Sequence, residues 1–74
     1  MNLTEVKPGT RTKIINITGG SSARLMLNRM NIRPDTIVEV ISQQPWYGPI
    51  TVNVGTSTQT IGRGLAQKIE CELL

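Results

Sequence analysis

The chain contains no histidine and no phenylalanine, and it holds one cysteine, one tryptophan and one tyrosine. Each shortage excludes something. Histidine is the commonest general base and supplies the imidazole of many metal centres. Without it, neither a Ser–His or Cys–His nucleophile pair nor an imidazole-ligated metal can be built. A lone cysteine cannot close an internal disulfide, which suits a reducing compartment. No apolar run approaches the ~18 residues of a membrane-spanning helix. Met1-Asn2-Leu3-Thr4-Glu5 shows no basic stretch followed by an apolar one, so no leader peptide is expected. These points together predict a cytoplasmic chain with no direct membrane insertion. With so few aromatics, the core has to be aliphatic, built from Ile, Leu, Val and Met.

What is present is enough for one compact domain spanning residues 1–74. Apolar residues make up 38% of the chain, which supports a core rather than disorder. The net charge is +3 and the pI about 9.6. The basic residues are spread from Lys7 to Lys68 without a run. A mild excess of this kind attracts an acidic partner or surface and fits nucleic acid only weakly.

Turn and periodicity signals divide the chain into short elements. Pro8-Gly9 reads as a turn, and Thr12 to Ile17, rich in β-branched residues, as the first strand. Gly19-Gly20-Ser21-Ser22 turns the chain, and either serine can N-cap a helix. Ala23, Met26, Leu27 and Met30 recur at helical spacing and form one apolar stripe. Asn31 ends that helix, since Asn tolerates the left-handed conformation beyond the last turn. Arg33-Pro34-Asp35-Thr36 is a turn, and Ile37 to Ile41 a strand. Gln43 to Pro49 is a loop carrying Trp46 and Tyr47. Ile50, Val52 and Val54 alternate with polar residues, as in a half-buried strand. Gly55-Thr56-Ser57 is a hairpin turn and Thr58 to Ile61 the returning strand. Gly62 to Lys68 is a link with room for one helical turn, and Ile69, Cys71 and Leu73 alternate along a last strand. The predicted fold class is all-β: a small SH3-like barrel of about five strands with one short α-helix inserted after the first strand, closed so that no sheet edge is left open.

The order of these elements resembles the FeoA family, the ferrous iron transport protein A. The likeness covers nearly the whole chain. It is carried by Leu3-Thr4-Glu5-Val6-Lys7-Pro8-Gly9, the strand Ile14 to Ile17, the turn Gly19-Gly20, and the Leu- and Arg-rich helix Arg24 to Met30. It continues through Pro34-Asp35-Thr36-Ile37-Val38-Glu39-Val40 and the late stretch Ile61-Gly62-Arg63-Gly64-Leu65-Ala66-Gln67-Lys68-Ile69. Asn31 and Asp35 stand where the family usually has Gly, and both residues form turns readily. The resemblance implies an SH3-like domain in the cytosol. It also implies an accessory role in bacterial ferrous iron uptake through protein–protein interaction with FeoB, the GTPase-linked membrane transporter, and no catalysis.

Candidate sites follow from the residues themselves. No enzyme constellation is present: Cys71 alternates as a core residue of a strand, and Ser21 and Ser22 have no base. No metal site is expected, because Glu70 and Glu72 at i and i+2 would make only a weak pair of carboxylates. The Gly-Ser turn is not followed by the Lys-Thr or Lys-Ser of a nucleotide loop, so no cofactor is expected. Two surfaces are candidates for partner binding. Leu25 falls opposite the apolar stripe, flanked by Arg24 and Arg29, and an exposed Leu between two Arg makes a docking point. Trp46 and Tyr47 pair the only aromatics in one loop, as interface hot spots often do. Trp46 is expected to fold back and lid the barrel end, and Tyr47 to be exposed. An alternative role is the SH3-like module of a metal-dependent transcription regulator, or a small nucleic-acid-binding barrel. No nucleic acid is expected as partner, because the aromatics lie apart from Arg24, Arg29 and Arg33. A third reading is a homo-oligomer formed through an exposed barrel face.

Overall fold

The computed structural model describes residues 1–46 and 48–74. Five strands form one antiparallel sheet: β1 (Arg11–Ile17), β2 (Ile37–Gln43), β3 (Ile50–Val54), β4 (Ser57–Ile61) and β5 (Ile69–Leu73). Helix α1 (Gly20–Arg29) follows β1, and a single helical turn, α2 (Arg63–Ala66), links β4 to β5. The sheet order is β4-β3-β2-β1-β5. The five-stranded SH3-like fold expected from the sequence is the fold observed.

Alternation in β3 is regular: Ile50, Val52 and Val54 are buried and Thr51 and Asn53 are half-exposed. In β1 and β2 it breaks. Thr12 and Ile14 face the core, Ile15 and Asn16 both face out, and Ile17 faces in again. A bulge explains the slip, since Ile14 pairs with Cys71 while Asn16 pairs with Glu70, leaving Ile15 as the extra residue. The same happens in β2, where Val40 pairs with Val52 and Ser42 with Thr51, and Ile41 is the extra residue. Bulges increase local twist, and two of them bend this small sheet around its core. The β3–β4 hairpin turns through Gly55 and Thr56, because Val54 pairs with Ser57. Gly55 has φ 62°, the left-handed value that a twist-matched two-residue hairpin needs at its first central position.

The barrel is covered rather than closed by strand pairing. Among the described residues no ladder joins β4 to β5. The gap is filled by α2, with Ala66 wholly buried, and by a 3₁₀ turn over Leu3–Glu5 packed against it. The free edge of β5 is also occupied: the Cys71 N–H donates to the Met1 carbonyl at 2.8 Å, and Asn2 bridges Glu70. Covering an edge in this way removes a site of edge-to-edge association. The 3₁₀ turn is an element not expected from the sequence. Its signal is Asn2 followed three residues later by Glu5, a capping box in which Asn2 Oδ1 accepts from Thr4 N–H and Glu5 Oε1 accepts from Asn2 N–H.

Helix α1 departs from expectation at its start. Gly19, with φ 89°, is the N-cap, and no side chain caps the helix. Ser21 and Ser22 lie exposed within the first turn instead of capping it. Gly19 is required by its left-handed backbone; a Cβ there would also meet Lys68 Cδ, the far part of a flexible side chain that can swing aside. The helix end matches expectation. Asn31 is left-handed at φ 61°, its N–H donates to the Asn28 carbonyl, and the Ile32 N–H donates back to the Leu27 carbonyl, both at 2.9 Å. This is a Schellman motif, and its usual apolar pair is Leu27 with Ile32, both wholly buried.

The core is aliphatic, as expected, but methionine contributes little. Met26 is 52% exposed and Met30 only packs against the core from outside. On a helix Met26 lies about 60° round from Ala23, so it falls at the margin of the buried stripe formed by Ala23 and Leu27. Leu3, Val6 and Ile32, all outside the regular elements expected from the sequence, supply the buried volume instead.

Candidate functional site

Two surface regions carry the residues singled out from the sequence. The first is the outer face of α1. Leu25 is 54% exposed, with Arg24 and Arg29 exposed beside it. That matches the expected arrangement, and Met26 adds a second exposed apolar side chain. The helix contains no acidic residue. Among the described residues the one ion pair is Lys13 Nζ to Asp35 Oδ1 at 3.8 Å, with the Asp35 side chain 88% exposed. A pair this exposed adds little stability, and it leaves Arg24, Arg29 and Arg33 without a carboxylate partner.

The second region is the β2–β3 loop. Trp46 does not lid the barrel; it is 92% exposed and left-handed at φ 60°. Val6, which lines the same cleft as Trp46, is buried without help from the indole. A left-handed backbone costs a bulky residue about 1–2 kcal/mol, and the surrounding structure has to hold it. Tyr47, expected to be exposed, lies outside the described residues. The residue that secures this loop is Arg63, which its sequence context does not single out as a site residue. From α2 its Nε donates to the Gly48 carbonyl at 3.1 Å, and its Nη2 reaches the Gln44 carbonyl at 3.4 Å and Gln43 Oε1 at 3.5 Å. Gln43 Nε2 in turn donates to the Val6 carbonyl. An open cleft runs between this loop and the N-terminal segment, walled by Pro8, Pro45 and Trp46 with Lys7 and Arg63 beside them. Arg63→Ala should speed amide exchange at Gln44 and Gly48 about tenfold. Arg63→Lys should not restore protection, because an ammonium lacks the planar fork. Unchanged exchange in both variants would remove Arg63 from this role.

The two regions are separate. Among the described residues none that lines the Trp46 cleft also lines the clefts beside α1. Glu70 and Glu72 do share an exposed face of β5, but Glu72 is paired across the sheet with Lys13 and Glu70 with Asn16. Among the described residues no three His, Cys, Asp or Glu side chains come together as a metal would need. Cys71 is buried. Burial raises its thiol above the ordinary value of 9.0, with Glu5 adding to the rise and the N-terminal amine and a hydrogen bond with Thr12 opposing it. As pH rises past 9.0 the unfolded thiol ionises before the folded one, so the unfolded state then binds fewer protons and stability falls. Chemical denaturation should therefore give a flat Cys71 contribution below about pH 8 and a loss above pH 9 that Cys71→Ala abolishes. A Cys71→Ala protein with an unchanged alkaline slope would contradict this.

Residues 1–73 match the FeoA domain family. The chain belongs to the FeoA family. A crystal structure of an iron uptake regulatory protein (FeoA) is 34% identical over all of this chain and 96% of its own, with a TM-score of 0.91. The FeoA protein from Chlorobium tepidum is 26% identical over all of this chain and 70% of its own, at TM-score 0.89. A manganese-dependent transcriptional repressor shares the fold at TM-score 0.90 and 20% identity, this chain matching 41% of its length. No curated protein sequence matches this FeoA chain significantly. No helix of its described residues is long and apolar enough to cross a membrane.

Proposed function

We propose that this FeoA-family chain is a cytosolic accessory of bacterial ferrous iron uptake that works by docking onto the cytosolic face of FeoB. The observation that carries this reading is the unpaired, acid-free outer face of α1, where Leu25 stands exposed between Arg24 and Arg29. Exposed apolar residues framed by arginine are what an interface core and rim require. Trp46, almost fully exposed and held on its loop from Arg63, offers a second anchor, with Tyr47 beside it in sequence. Membership of a family that belongs to ferrous iron transport supplies the process. The likeness to the manganese-dependent repressor, at 20% identity, concerns the fold and adds no nucleic-acid surface: the exposed arginines of α1 have no aromatic among them. The direct test is retention of the folded chain by the soluble cytosolic domain of FeoB. Retention of wild type supports docking, and its consistent absence across salt concentrations ends the proposal.

A further inference from the structure

Beside the exposed face of α1 runs a groove that the sequence did not point to. It lies between α1 and the end of β1 and encloses about 190 Å³. Ile17 and Ile32, both buried, form part of its lining with Pro34, and Arg24, Asn28, Arg33 and Asn16 supply its polar groups. No acidic residue lines it. Arg33 is held in place by neutral acceptors: its Nε donates to Asn28 Oδ1 at 2.6 Å and its Nη2 to Asn31 Oδ1 at 3.3 Å. Asn31 is itself fixed by the left-handed helix end. Asp35, the nearest acidic residue in sequence, is turned to Lys13. Arg24 makes no hydrogen bond among the described residues and borders both this groove and the neighbouring cleft that contains Leu25.

We propose that this groove receives a carboxylate from an acidic segment of a protein partner. The inference rests on the docking reading above and gives one partner group its chemistry. A guanidinium presents a planar fork of N–H donors that matches a carboxylate edge. Arg33 already uses one edge on Asn28 and Asn31, which fixes its plane in advance and reduces the entropy lost on binding. Arg24 faces the same space with its donors free. The isoleucine and proline lining partly desolvates a bound acid and strengthens each charged hydrogen bond. Asn16 and Asn28 carry amide groups that can donate to the same oxygens. The apolar side chain next to the acid in the partner would then meet Leu25. A membrane surface fits less well. Two exposed apolar residues on a ten-residue helix bury too little area for interfacial anchoring.

The experiment uses the full chain, isotopically labelled, and short blocked peptides as probes. A peptide with a central glutamate between leucines should shift the side-chain amide signals of Asn16 and Asn28 and the Arg33 Nε–H signal. The same peptide with glutamine should shift none of them. Arg24→Gln and Arg33→Gln should each weaken the glutamate peptide about tenfold, and raising salt should weaken it further. Arg24→Gln breaks no hydrogen bond of the fold, so its effect reads binding alone. Absent shifts overturn the proposal. So do equal shifts from inorganic phosphate, which would mark a general anion site, or Arg33-dependent binding to vesicles rich in phosphatidylglycerol. If the groove takes no carboxylate while the FeoB domain still retains the chain, only this inference falls. If the peptide binds and the FeoB domain does not, the docking reading falls and the carboxylate site stands.

Discussion

Leu27→Ala should lower the unfolding free energy by about 2–5 kcal/mol. At ~0.05–0.15 kcal/mol per residue, a domain of this length has roughly 4–11 kcal/mol in total, so the substitution removes a large share of it. The reason is positional. Leu27 is wholly buried, lies on the inner stripe of α1, and is the helix-side member of the Schellman pair with Ile32. Truncation leaves a cavity where the helix meets the core and loosens the helix end at the same time. A thermal midpoint lowered by roughly 10 °C or more is expected. The matched control is Leu25→Ala, two residues earlier on the same helix and 54% exposed, which should stay within about 0.5 kcal/mol of wild type. Equal losses for the two variants would mean that α1 does not pack as described.

The reverse ordering should hold for partner binding. Leu25→Glu should weaken retention by the FeoB cytosolic domain at least thirtyfold, corresponding to roughly 2 kcal/mol for a central hot spot, while the fold stays intact. The new carboxylate has Arg24 and Arg29 on either side, so it cancels charge as well as removing the apolar contact. Trp46→Ala should also weaken retention without loss of stability, because a side chain 92% exposed contributes almost no burial. Alanine keeps the Cβ that makes φ 60° costly, so the substitution leaves that strain in place. Both variants binding like wild type would place the docking surface elsewhere. Loss in one alone would tell which of the two separate regions meets the partner.

Much of this was legible residue by residue. The alternation of Ile50, Val52 and Val54 announced a half-buried strand, and the left-handed Asn31 could be foreseen from its place after a helical stripe. Leu25 fell on the outer face by helical period alone. Other features were hidden by local ambiguity. Ser21 and Ser22 have the chemistry of caps, yet the two preceding glycines let the helix begin two to three residues earlier. Met26 fits the stripe on paper but sits at its margin, where the sheet does not reach. The doubled exposure at Ile15-Asn16 and Ile41-Ser42 comes from bulges that depend on the partner strand.

Short-range information thus determined the strands, the helix, the turns and the polarity of the α1 face, because each follows from backbone preferences and periodicities a few residues long. Tertiary structure decided the rest. That Trp46 stands out from the surface, beside a Val6 buried without it and distant in the chain, is a matter of tertiary packing. That Arg63 secures the Trp46 loop, and that Arg24 and Arg33 share one groove, depends on how separate elements pack. Contacts between distant segments are set by the free energy of filling one common core, and no window of neighbouring residues contains that sum.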